Sequence, residues 1–254
     1  MTFCLGITVK EGLLGIGDTR ITSGNEAITA RKINTYSIGS GLIFIMTSGL
    51  RSVRDKTLTY FEEEQEAGNY DQCNRLYKVV NEFSSKIKQV AREDKQALND
   101  SGLGFDIHAL VGGQLQDDKT HKLYLLYPQG NWVEITKNTP YYIIGERGYG
   151  KPVMDRTLVY NDPLLFALKV GCLAFDSTRI SATGVDFPID VLLYYSKTKE
   201  LVEHRYEYSD FQEISNWWQE HLRASVNELP SEWIENIASK LEKVNSRKRS
   251  NDAL

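Results

Sequence analysis

Three residues near the N-terminus, Thr2, Asp18 and Lys32, have types that together could act on an amide. If Met1 is removed, as a small second residue permits, the α-amine of Thr2, with a reference pKa of roughly 8, stands beside its own hydroxyl and can take its proton. Nucleophile and general base then belong to one residue. A threonine hydroxyl is otherwise too weakly acidic to attack an amide at neutral pH, so a neighbouring ammonium must lower the cost of charge on the oxygen. Lys32 would supply that ammonium, and Asp18 a carboxylate to keep it protonated and aimed. Taken alone, such an Asp and Lys would more often be solvated surface charge.

The elements around these residues decide whether they can meet. Residues 2–10 are rich in β-branched and aromatic side chains, Glu11-Gly12 breaks the run, and a second apolar stretch follows at 13–17, which predicts a hairpin ending at Asp18. Hairpin geometry can bring Thr2 and Asp18 together across the sheet. Lys32 opens a third strand over 32–38, and 42–47 forms a fourth after the Gly39-Ser40-Gly41 turn, so four strands are expected before any helix. Apolar positions then recur at three and four over 50–66 and 71–98, predicting two amphipathic helices. Strands are expected at 105–111, 122–127, 132–135 and 141–144, helices from Pro152 and over 163–176, strands at 191–195 and 201–206, and a last helix over 211–226. Strands and helices come in blocks rather than in alternating βα units, which disfavours a doubly wound parallel sheet. An α+β arrangement of two face-to-face antiparallel sheets with helix pairs outside fits this order. A single domain is expected over 1–241, followed by a charged, disordered tail over 242–254.

Beyond the triad, Gly17-Asp18-Thr19-Arg20 follows the second strand, Arg31-Lys32 opens the third, and Met46-Thr47-Ser48-Gly49 ends the fourth. This pattern resembles the proteasome β-subunit family of N-terminal nucleophile hydrolases. Within it, the chain is similar to the bacterial ancestral β-subunit, Anbu. That similarity rests on Phe3 to Ile7, on Gly145-Glu146 with Tyr149-Gly150-Lys151-Pro152, and on Asp176-Ser177-Thr178 with Pro188-Ile189-Asp190. It runs from Thr2 to about Tyr208. The resemblance implies a four-layer αββα sandwich and a threonine peptidase or amidohydrolase that attacks peptide or protein substrates. It implies Thr2 as nucleophile and base, Lys32 as the activating charge, Asp18 as its partner and Arg20 beside it. Ser48 would give the oxyanion N–H, Gly49 would stand in the same turn, and Leu50 would line the pocket for the residue before the scissile bond. Asp176, with Ser181, would support the amine. Where proteasomes carry Gly-Ser-Gly this chain has Gly145-Glu146-Arg147, which would put a carboxylate near the nucleophile. The resemblance further implies a homo-oligomer, ring or open helix, without a cofactor. With only Met1 ahead of Thr2, self-cleavage is not needed. The alternative reading is an assembly or peptide-binding subunit that keeps the fold without turnover.

Composition sets the remaining bounds. With 30 basic against 34 acidic residues there is no chain-wide basic footprint, so nucleic acid is not an expected partner. The three cysteines, Cys4, Cys73 and Cys172, are widely spaced, and no secretory signal or membrane span is read, so reduced thiols in a cytoplasmic protein are expected. His108, His121, His204 and His221 have no ligand spacing, so no metal site is expected. Gly145 to Pro152 approaches a phosphate-binding loop, but Pro152 replaces the hydroxyl that would bind magnesium. Cys4 shares a strand face with Thr2 and is a rival nucleophile, though a packed thiol is the plainer reading. The Trp217-Trp218 pair suggests either a partner surface or core packing.

Overall fold

The computed structural model describes residues 2–23 and 26–242, and their side chains apart from those of 21–23 and 26–28. The chain divides into two compact units, 1–211 and 212–254. Where one domain was expected over 1–241, both sheets and the first four long helices fall in the first unit. The charged tail expected to be disordered lies outside the described residues from 243 on.

One sheet is built from β1 (Phe3–Val9), β2 (Gly12–Asp18), β10 (Tyr141–Gly145), β11 (Ile189–Tyr195) and β12 (Glu200–Tyr206), in the order β10-β1-β2-β11-β12. The other holds β5 (Ile33–Ile38), β6 (Gly41–Gly49), β7 (Ile107–Gln114), β8 (Lys122–Leu126) and β9 (Trp132–Glu134), in sequence order. Every pairing is antiparallel. Helices α3 (Lys151–Thr157) and α4 (Leu164–Ser181) cover the first sheet, and α1 (Arg51–Glu66) and α2 (Leu76–Asp100) cover the second. This is the expected αββα sandwich.

Three apolar layers follow from strand periodicity. Along β1, Phe3, Leu5, Ile7 and Val9 join the cluster under α4, whereas Cys4 joins Leu13, Phe44, Met46, Leu110 and Leu192 between the sheets. The third layer packs Ile43, Ile45 and Val111 against Phe61, Phe83 and Ile87 of the other helix pair. Successive side chains alternate faces, and both faces of β1 and β2 are buried at every position. Each fully buried Leu, Ile or Phe contributes about 1.5–3 kcal/mol.

Three expectations are corrected. A further hairpin, β3 (Arg20–Ser23) with β4 (Glu26–Thr29), stands between the second and third expected strands, so six strands precede α1 among the described residues. Its strands are four residues each, too short and polar to show a periodic apolar run, and they pair only with each other. Helix α2 begins at Leu76 rather than 71, because the Leu76 N–H donates to Asp118, 42 residues away. Helix α4 continues past Asp176 to Ser181, with Phe175 in the core and Thr178 bonded back to the Ala174 carbonyl.

Tight sheet packing makes one position diagnostic. An added Cβ at Gly112 would lie 2.3 Å from the ring of Phe44 in the layer between the sheets. Gly112→Ala is expected to destabilise the fold by about 1–3 kcal/mol, lowering Tm by roughly 2–10 °C for a chain of this size, as read by thermal melts. A smaller effect is expected when Phe44→Leu is combined with it.

Candidate active site

The chain brings Asp18, Lys32 and the start of β1 to one end of the sandwich. Asp18 closes β2, and its Oδ1 accepts the backbone N–H of Phe3 at 2.7 Å and the Lys32 ammonium at 2.7 Å. Lys32 Nζ also donates to the Arg20 carbonyl at 2.7 Å. The side chains are 1% and 0% exposed, so this is an ion pair out of water rather than surface charge. An ammonium has three N–H groups; the third on Lys32 has no acceptor among the described residues. Burial pushes the Asp18 carboxyl up, against the downward pull of Lys32 and of the Phe3 N–H. Its Oδ2 is buried without a hydrogen-bond partner.

Thr2 sits just before β1 and lines a cleft of about 750 Å³, with Ser48, Gly49, Leu50 and Glu146 among the other lining residues. Its carbonyl accepts the Glu146 N–H at 2.7 Å. Gly145 makes that approach possible: its φ is +87°, and an ideal Cβ there would lie 2.0 Å from the Thr2 carbonyl oxygen. At the opposite wall, Thr47 N–H donates to the Lys32 carbonyl and Leu50 N–H to the Asp106 carbonyl. N–H directions alternate along a strand. The Ser48 N–H is therefore turned into the ladder with β7, and the Gly49 N–H faces the side where β5 has ended. Of the turn residues named for the oxyanion pocket, Ser48 and Gly49, it is the Gly49 N–H that is turned away from this ladder, because the orientation of a backbone donor is set by ladder register rather than by residue type.

The remaining residues divide by location. Arg20 pairs with Asp186 at 2.8 Å and offers its carbonyl to Lys32. Asp176 is fully buried in α4 with Arg179 on its carboxylate at 2.8 Å, and Ser181 is exposed at the end of that helix; neither lines the cleft. Cys4 is buried, and desolvation pushes its thiol up to about 12, which removes it as a rival nucleophile. Lys151 is engaged by Asp155 and Tyr141. The cysteines are free, and no cluster of three metal-binding side chains occurs among the described residues. Nor is any described helix long and apolar enough to cross a membrane. Sequence reasoning missed Arg54, Asp106, His108 and Tyr142 in the cleft wall. They come from three stretches far apart in the chain, Arg54 in α1, Asp106 and His108 around the start of β7 and Tyr142 in β10, and only tertiary structure assembles them.

No family model and no curated protein matches the chain. Solved structures do match. Anbu from Pseudomonas aeruginosa, described as a helical assembly, superposes with a TM-score of 0.84 at 26% identity, covering 90% of this chain and 97% of that one. Anbu from Yersinia bercovieri gives 0.81 at 27% identity over 90% and 98%. Anbu from Hyphomicrobium sp. strain MC1 gives 0.80 at 25% identity over 90% and 98%. The chain has the proteasome-like β-subunit fold of these Anbu structures and is similar to them over nine-tenths of its length. In this Anbu-like chain the Gly145-Glu146-Arg147 departure has a defined geometry: the Glu146 amide holds Thr2, while its carboxylate accepts the Gly148 N–H at 3.1 Å.

The buried pair predicts a pH-dependent stability. Lys32→Met leaves the Asp18 carboxylate buried without its counter-charge and is expected to cost about 3–5 kcal/mol at pH 7, measured by urea unfolding. Removing the ammonium raises the Asp18 carboxyl further above its unfolded value near 3.9. A raised folded pKa favours the protonated folded state, so the variant's deficit is least below about pH 4 and grows as pH rises through the folded pKa. The gap from wild type should therefore narrow between pH 7 and pH 5. A constant gap would show that loss of packing, not the uncompensated charge, is what the substitution exposes.

Proposed function

We propose that this chain is a threonine peptidase or amide hydrolase that cleaves peptides or proteins with Thr2, once Met1 is removed, as nucleophile and base. The buried Lys32 ammonium carries this reading: it is fixed by Asp18 and the Arg20 carbonyl with one N–H to spare, and the same carboxylate oxygen holds the Phe3 amide next to Thr2. That N–H is available to the Thr2 hydroxyl oxygen, where it stabilises developing negative charge. The likeness to the Anbu structures and their proteasome-like fold supports the same assignment.

In the proposed reaction the Thr2 hydroxyl passes its proton to the Thr2 amine as its oxygen bonds to the amide carbon. The carbonyl electrons move onto the oxygen, which the Gly49 N–H receives. As the carbonyl re-forms, the C–N bond breaks and the ammonium returns its proton to the leaving nitrogen, which departs as an amine and leaves an ester on Thr2. Water then gives a proton to the amine and its oxygen to the ester carbon; as the bond from that carbon to the Thr2 oxygen breaks, the ammonium returns the proton to the Thr2 oxygen, releasing a carboxylic acid and restoring the hydroxyl and free amine. Asp176 is assigned the support of the amine; Ser181, exposed at the helix end, is left out. We extend to this chain the self-assembly described for the Pseudomonas aeruginosa relative, as a cytoplasmic homo-oligomer, open helix or ring.

Intact mass provides the first test: loss of Met1 is expected, and a retained Met1 blocks the amine and defeats the proposal. With Met1 gone, a β-lactone or epoxyketone should label wild type and not Thr2→Ala. Thr2→Ala and Lys32→Ala should each reduce kcat/KM by about 10³-fold or more. The amine accepts a proton only when neutral, so activity should rise with pH toward about 8, the reference value for that group.

A further inference from the structure

The cleft beside Thr2 holds positive charge that the acyl chemistry does not use. Arg54 lines it from the first turns of α1, with a residue exposure of 6%. Its Nε and Nη2 donate to Asp55 Oδ1 at 3.1 and 2.9 Å. Nη1 has no partner among the described residues and is not among the buried unpaired atoms, so it keeps some solvent contact in a side chain that lines the cleft. Arg51 Nε takes the other oxygen of Asp55 at 3.2 Å, so one carboxylate, itself outside the cleft lining, serves two guanidiniums.

Two further features point the same way. Helix α1, 16 residues long, starts at the cleft wall with no side-chain cap on its N-terminal N–H groups and no acid in its first turn, which leaves the positive end of its dipole open. Each lining carboxylate has a contact of its own, Asp106 Oδ1 with His108 Nδ1 at 3.2 Å and Glu146 Oε1 with the Gly148 N–H at 3.1 Å. Exposed Arg147, just past the end of β10, also lines the cleft, and its Nη1 donates to the Tyr142 hydroxyl at 3.4 Å. A lone guanidinium nitrogen in a nine-tenths buried side chain, next to an uncapped helix N-terminus, is the donor set that a carboxylate fits.

Resting on the hydrolase reading above, we propose that the cleft selects acidic substrates: a Glu or Asp side chain close to the scissile amide is received by Arg54 Nη1 and the first N–H groups of α1. A charge-assisted hydrogen bond of this kind corresponds to about ten- to a hundredfold in affinity. Selection should weaken with added salt only modestly, because Arg54 is shielded from solvent.

The test uses the assembled full-length chain carrying Thr2→Ala, so that binding is read without turnover. Labelled neutral octapeptides with one Glu or one Gln at each central position are compared by fluorescence anisotropy. At one or more positions Glu should bind at least about tenfold more tightly than Gln, and the Glu/Gln ratio should fall close to one in Arg54→Met. Should Arg54→Met fail to melt cooperatively, Arg54→Gln and Arg54→Lys replace it, the first abolishing the ratio and the second retaining part of it. Equal binding of Glu and Gln peptides, or a Glu preference that survives loss of the guanidinium, overturns the assignment even where wild type hydrolyses peptides. Conversely, an Arg54-dependent Glu preference without turnover by wild type upholds the cleft assignment and removes the hydrolase reading.

Discussion

A lysine ammonium and an aspartate carboxylate taken out of water cost several kcal/mol each unless good geometry and further hydrogen bonds compensate. Asp18 and Lys32 meet that condition at 2.7 Å, with the Phe3 N–H on the carboxylate and the Arg20 carbonyl on the ammonium. The pair spans the sandwich, because Asp18 ends a strand of one sheet and Lys32 leads into the other. It therefore forms only when the two sheets are packed. Conversely, its geometry fixes how the N-terminal strand, the second strand and the approach to β5 meet at one end. The unpaired Asp18 Oδ2 is the residual cost, and unmet buried acceptors of this kind call for an explanation in a folded protein.

The cleft opens where that constraint meets missing side chains. Gly145 presses its backbone against Thr2, and Gly49, at φ +119°, lies so close to Asp106 that a Cβ would fall 2.3 Å from its carbonyl oxygen. With no Cβ at either position, two strand ends from different sheets form opposing walls beside Thr2. Helix α1 starts immediately after the second wall, which puts Leu50, Arg51 and Arg54 at the cleft as a direct result of strand register.

Much of the framework was legible because period-two and helical apolar patterns are local. β1, β2, β5 and β6 stand close to their expected positions, as do the helix pairs, and the block order of strands and helices pointed to stacked antiparallel sheets. What was not legible depended on distant partners. The β3–β4 hairpin has little apolar surface of its own, the start of α2 is set by Asp118, and the end of α4 by burial against β1.

By itself the sequence determined which residue types were present to meet, a small residue behind Met1, an Asp ending a strand and a Lys opening another, and the periodic patterns that make strands and helices of the intervening chain. Tertiary structure decided that the Asp and Lys share a dry pocket, that the Gly49 rather than the Ser48 N–H faces away from the β6–β7 ladder, and that Arg54 reaches the wall beside Thr2. The physical reason is range. Propensity and periodicity act over a few residues, whereas burial of charge, donor direction and cleft lining depend on register between strands that sequence separation leaves free.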